Sequence, residues 1–128
     1  MKKRLEVVIR ESDEKERLFM TNIEISRSAK VHTFSNSDSD RFSKRRLKEI
    51  GREGKRIIRK VKKIEIATPC TISIGRNILL VKANYKVPDW SKIEKRIIYI
   101  LKESLRKKVD DVQILREDLD LKSSFKTA

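Results

Sequence analysis

The 128-residue chain holds one histidine and one cysteine, so His32 and Cys70 are the first side chains to weigh for chemistry. His32 beside Asp38 or Asp40 has the makings of a general base or a metal ligand. A single histidine in a short edge strand more often serves structure. Cys70 follows Pro69 and offers a thiol, but only His32 is there to activate it. One of each residue leaves neither an internal disulfide nor a Cys/His zinc set. Asp110, Asp111, Glu117, Asp118 and Asp120 form an acidic cluster that could draw a hard cation. Their spacing matches no metal loop, and a solvated tail accounts for them. Gly75-Arg76-Asn77 reads as a hairpin turn and not a phosphate loop, because it does not open a helix. No catalytic constellation, metal site or cofactor is implied, and the chain is read as a non-enzyme.

Binding chemistry is better represented. Lys and Arg number 33 against 19 Asp and Glu, for a net charge of +14. The excess is local. Residues 1–40 carry eight bases and eight acids, and residues 64–128 carry thirteen and nine. Residues 41–63 hold twelve bases against Glu49 and Glu53 alone, which is +10 of the +14. A solvated helix would be expected to interleave acids at i,i+4; here like charges crowd one arc. Such a stripe is the electrostatic footprint of phosphate binding. Arg45, Arg46, Arg52, Lys55, Arg56, Arg59 and Lys60 are the expected contacts. Phe42 is the only aromatic in the segment, so contact with phosphates is expected there rather than stacking on bases.

The elements that must position these residues follow from hydrophobic period. Leu5, Val7 and Ile9 alternate with Glu6, Val8 and Arg10, and Phe19, Thr21, Ile23 and Ile25 resume the alternation. An N-terminal hairpin over 4–26 is predicted, with a charged turn at Ser12 to Glu16 and a short third strand around Val31 to Phe34. Leu47, Ile50, Gly54, Ile57, Ile58 and Val61 recur at three- and four-residue steps and predict a helix over 40–63. Gly51 and Gly54 beside that stripe imply either close packing on a sheet or two helices joined at a Gly-x-x-Gly turn. Strands are predicted within 64–87, bent at Gly75 to Asn77. A helix over 89–108 has Asp89 as N-cap and Trp90 either packed on the sheet or exposed as an interface anchor. A strand over 111–116 ends the domain, and 117–128 is predicted to be a flexible tail. Residues 1–116 thus form one α+β domain, a two-layer sandwich, ferredoxin-like or KH-like, with an extra N-terminal hairpin.

Two resemblances accompany this reading. Ile50-Gly51-Arg52-Glu53-Gly54-Lys55-Arg56-Ile57 resembles the I-G-x-x-G-x-x-I core of KH domains, in which the loop clamps a single-stranded backbone. That likeness implies RNA before DNA, with Arg52, Lys55 and Arg56 on phosphates; Glu49 and Glu53 depart from the pattern. Asn22 to Ser26, a helix, Ile78 to Val87, Pro88 to Leu105 and Asp111 to Ile114 resemble the strand and helix pattern of the alkaline-shock protein family. Its members are non-enzymatic and envelope-associated, and ring-building modules share the pattern.

The expected function is therefore nucleic-acid binding through phosphate contacts. The alternative is an assembly module that forms a homo-oligomer or docks on an acidic protein or anionic lipid surface. No apolar run approaches the roughly 20 residues of a membrane helix, and Glu6 and Arg10 interrupt any leader after Met1-Lys2-Lys3-Arg4. A cytoplasmic protein is expected. All of this depends on the acidic stretches at the two ends of the chain staying clear of the 41–63 ridge.

Overall fold

Alternation in the first 21 residues produces two strands. In the computed structural model, which describes residues 2–35, 40–64, 70–84, 86–87 and 89–118, β1 (Lys3–Asp13) and β2 (Glu16–Thr21) form an antiparallel hairpin. The alternation of Ile23 and Ile25 does not continue the strand. The Thr21 hydroxyl donates to the Ile23 carbonyl at 2.8 Å, which turns the chain out of the ladder. Ile25 is buried under the helices instead, with its N–H on the Arg76 carbonyl at 2.7 Å.

β3 (His32–Ser35), β4 (Cys70–Ile74) and β5 (Ile78–Ala83) complete an antiparallel run. β6 (Val109–Asp118) then pairs parallel with β1. The six-stranded mixed sheet has the order β3-β4-β5-β2-β1-β6. The N-terminal hairpin is thus no appendage: it supplies two inner strands and joins β5 to β6. The last strand runs from 109 to 118, so Glu117 and Asp118 belong to the sheet and not to a tail. Residues 65–69, where a strand was expected, and 119–128 lie outside the described residues.

Two helices pack on one face of this sheet, giving a two-layer α+β sandwich. α1 (Asp40–Lys62) lies over β3 and β4, and α2 (Trp90–Ser104) lies beside it toward β6. Ile50, Ile57, Ile58 and Val61 of α1 and Ile93, Ile97 and Leu101 of α2 meet Leu5, Val7, Phe19, Ile72, Leu79 and Val81 of the strands in one core. Each fully buried aliphatic side chain there stabilises the fold by about 1.5–3 kcal/mol. Asp89 caps α2, with its Oδ1 accepting from the Ser91 N–H at 3.0 Å. The helix stops at Ser104, and residues 105–108 turn back into β6.

α1 is two helical segments joined at Gly51, whose φ of 88° and ψ of 179° lie outside helical geometry. That conformation is open essentially to glycine alone. A side chain would also strike the Cβ of Arg27, 3.2 Å from where its own Cβ would stand. The break strands carbonyls at the end of the first segment, and Arg27 takes them up. Its N–H donates to the Ile50 carbonyl at 2.8 Å, and its Nη2 to the Lys48 carbonyl at 3.0 Å. Gly54 keeps helical geometry because its missing side chain lets the helix rest 3.1 Å from the Ile25 carbonyl oxygen, measured from an added Cβ.

Candidate nucleic-acid interface

The helical period of α1 turns Lys48, Arg52, Arg56, Arg59 and Lys60 to solvent and Leu47, Ile50, Ile57 and Val61 to the core. Of the expected contacts, Arg45, Arg52, Arg56, Arg59 and Lys60 are exposed and Lys55 is half-buried. No carboxylate among the described residues forms an ion pair with any of these six. Arg46 is different. Its guanidinium sits 5.0 Å from the Phe34 ring and donates through Nη1 to the Thr33 carbonyl. It fastens α1 to the edge strand β3 and does not project with the others.

The two acids of the segment are turned aside. Glu53 accepts from Lys108 Nζ at 2.8 Å, and Glu49 lies 3.5 Å from His32 Nε2. His32 also sits 3.1 Å from Ser28 Oγ, so it ties β3 to its neighbours. Of its two suggested companions, Asp38 lies outside the described residues and Asp40 opens α1. Cys70 opens β4 opposite Ala83. Among the described residues no group of three or more His, Cys, Asp or Glu side chains could hold a metal ion.

Several further acids pair along β1 and β6. Asp111 meets Arg4 Nε at 2.9 Å, Glu117 meets Arg10 Nη2 at 3.0 Å, and Glu11 meets Arg116 Nη1 at 2.7 Å. These pairs follow from the parallel register of β1 with β6, which places Arg4 opposite Asp111 and Arg10 opposite Glu117. Asp111 and Glu117 of the expected acidic cluster are thereby paired with the N-terminal strand.

A second group, at the hairpin end of the sheet, has Arg17, Glu94 and Trp90 buried and Arg116 at its exposed rim. Glu94 of α2, 5% exposed, accepts from Arg17 Nε at 3.1 Å and Arg116 Nη2 at 2.6 Å. Arg17 stacks 4.9 Å from the centre of Trp90, whose Nε1 donates to the Glu14 carbonyl at 2.7 Å. Trp90 is therefore a packing residue, 5% exposed. The hydrogen bond to Glu94 raises the Arg116 pKa further above the usual arginine range.

The tertiary structure adds a feature that α1 alone lacks. α2 packs against α1 and presents Lys92, Lys95, Arg96, Tyr99 and Lys102 on its outer side. Tyr99 is 65% exposed. It lines an open groove of about 490 Å³ with Lys60 and Lys63 from α1 and Lys95, Arg96 and Ile100 from α2. An aromatic ring thus stands among four cationic side chains drawn from both helices. The signal was present in the sequence: Tyr99 falls on the polar stripe of α2, in step with Lys92, Lys95 and Lys102. No family model matches the chain, and no curated protein or solved structure is significantly similar to it.

Proposed function

We propose that the protein binds nucleic acid, single strands before duplexes, across the outer face of its two helices. Phosphates would be held by Arg52, Arg56, Arg59 and Lys60 of α1 and by Lys95 and Arg96 of α2. An unpaired base would stack on Tyr99. The observation that supports this most is the separation of charge: many acids pair along β1 and β6 or around Glu94, while the bases of the helical face have no carboxylate ion-pair partner among the described residues. A bound polyanion would relieve the repulsion between those bases and release its own counterions. The ring among the lysines favours single strands, because a base in a duplex cannot offer its face to a side chain.

The KH-like motif favours RNA over DNA, and Arg52 and Arg56 serve under either description. A four-residue clamp fits less well than a two-helix face. Gly54 is buried against the Ile25 carbonyl and Glu53 is engaged by Lys108, so of the motif only Arg52 and Arg56 are exposed.

Affinity for an unstructured oligonucleotide should fall linearly with log salt, with a slope near −0.7 for each phosphate neutralised. Tyr99→Ala should lose about 1–3 kcal/mol of affinity for the single strand, leave the salt slope unchanged, and affect a duplex far less. Absence of binding at about 50 mM salt would reject the proposal. Equal loss for single strand and duplex would remove Tyr99 from it.

A further inference from the structure

The sheet has a second face, and no described element packs on it. Both helices contact the side that carries Leu5, Val7, Phe19, Leu79 and Val81. The alternate residues of the same strands point the other way. Their register brings six aliphatic side chains into two adjoining rows. Val8 stands opposite Leu115 on one side and Met20 on the other, and Met20 stands opposite Ile78. Leu18 and Leu80 form the neighbouring pair. Five of the six are half-buried by their neighbours, and Leu115 is 46% exposed. None belongs to the core or packs against it.

An aliphatic stripe crossing four strands is more than the scattered apolar residues that a monomer's surface carries, and contiguous patches of this kind mark interfaces. What surrounds it says which kind of occupant fits. The charged residues of this face are Arg4, Arg10 and Lys82 with Glu6, Glu16, Asp111 and Glu117, three bases and four acids in alternation. Arg4 and Arg10 are already paired with Asp111 and Glu117. The face is therefore close to neutral in a chain of net charge +14. A polyanion gains nothing there, and none of these residues is aromatic, so a base has no ring to stack on. A strongly acidic protein would be drawn to the helices instead. A surface with an apolar centre and a rim of both signs is complementary to itself.

We infer that the open face of the sheet is a homodimer interface, in which two copies stack sheet on sheet through Val8, Leu18, Met20, Ile78, Leu80 and Leu115. Sheets pack face to face at about 10 Å with interdigitated side chains. Six strands at about 4.8 Å spacing span roughly 25 Å, a footprint on the order of 500 Å² before side-chain relief is counted. Over both partners that is about 1,000 Å² in total, the lower bound of a specific interface. The arrangement has a further merit. It turns both basic helical faces outward, on opposite sides of the dimer, so the repulsion between two highly positive chains acts at its longest range. This inference does not rest on the nucleic-acid reading, since the two use opposite faces of the sheet.

Sedimentation equilibrium of nuclease-treated full-length protein, in salt high enough to prevent bridging by residual polyanion, tests it. A dimer is expected at micromolar concentration, and Met20→Glu should weaken it at least about 100-fold by placing a charge at the centre of the apolar contact. Circular dichroism of the variant checks that it folds. Should that variant fail to fold, a mixed sample of labelled and unlabelled wild-type protein gives the second readout. Isotope-filtered contacts should then place the Met20 methyl of one copy beside Leu18, Ile78 or Leu80 of the other. A monomer up to about 200 μM would overturn the inference. So would a dimer that persists in a folded Met20→Glu variant, or one whose filtered contacts involve the β6 edge alone.

Discussion

Arginine does two opposite jobs in this molecule, and the difference lies in what surrounds it. Around Glu94, Arg17 is enclosed beside Trp90 while Arg116 and Glu11 close the rim, and every charge has an opposite within 3.5 Å. On the outer face of α1, Arg52, Arg56 and Arg59 project into solvent beside Lys55 and Lys60, with no carboxylate among the described residues in ion-pair contact with them. The first cluster joins three elements, the β1–β2 hairpin, α2 and β6, and acts on the fold. The second holds nothing together and is a cost to the fold through like-charge repulsion. Residue type alone does not separate paired, structural charge from charge left unpaired. The position of the counter-charge does.

Removing one member of the enclosed cluster should have the largest effect. Glu94→Ala removes the buried partner of Arg17 and leaves it to share Glu11 with Arg116, at 3.5 and 2.7 Å; breaking a buried pair in this way costs about 3–5 kcal/mol. A urea titration followed by circular dichroism measures it, and a loss under 1 kcal/mol would mean that the cluster is no better enclosed than a surface pair.

The same operation on the outer face should work in the opposite direction. Arg59 has Lys55, Arg56, Lys62 and Lys63 at three- and four-residue steps. Arg59→Glu therefore replaces four repulsive neighbours with four attractive ones and should raise stability by a few tenths of a kcal/mol. Oligonucleotide affinity should fall in the same variant. A destabilised Arg59→Glu would show that this arginine belongs to the structural class after all.

The smallest effect concerns Asp89, a lone exposed acid at the start of α2. Its pKa is lowered by hydrogen bonds from the Ser91 side chain first and the Ser91 backbone second, with Lys92 and Lys95 adding to the shift. A carboxyl whose folded value lies below its unfolded value contributes stability that is fully present above the ordinary aspartate range. That contribution is lost as pH falls through the lowered value. Asp89→Asn keeps a capping acceptor but no longer titrates, so its stability should change less with pH in that acidic window than the wild type's. Identical acid profiles for the two proteins would show that the cap's charge is immaterial.

Much of the secondary structure was legible because period and capping are local. The alternation at Leu5, Val7 and Ile9, the stripe from Leu47 to Val61, the turn at Gly75 and the cap at Asp89 each lie within a few residues of what they determine. Where a tertiary contact competed, local pattern misled. Ile23 and Ile25 alternate like strand residues, yet Ile25 goes under α1, and Glu117 and Asp118 looked like a solvated tail until β1 offered them a parallel ladder. The basic character of residues 41–63 was equally plain in the sequence. That Arg46 turns inward to Phe34 was not, since it depends on how β3 meets the helix.

Composition and spacing by themselves determined that this is an α+β chain carrying an unbalanced basic helix. Only the tertiary structure decided where the acids go, which ring joins the basic face and which aliphatic residues are left over. Charge density is a property of a segment, but neutralisation, groove formation and coverage are properties of neighbours. Those neighbours come together only when strands and helices distant in the chain are set side by side, as Arg4 is with Asp111 and Lys60 with Tyr99.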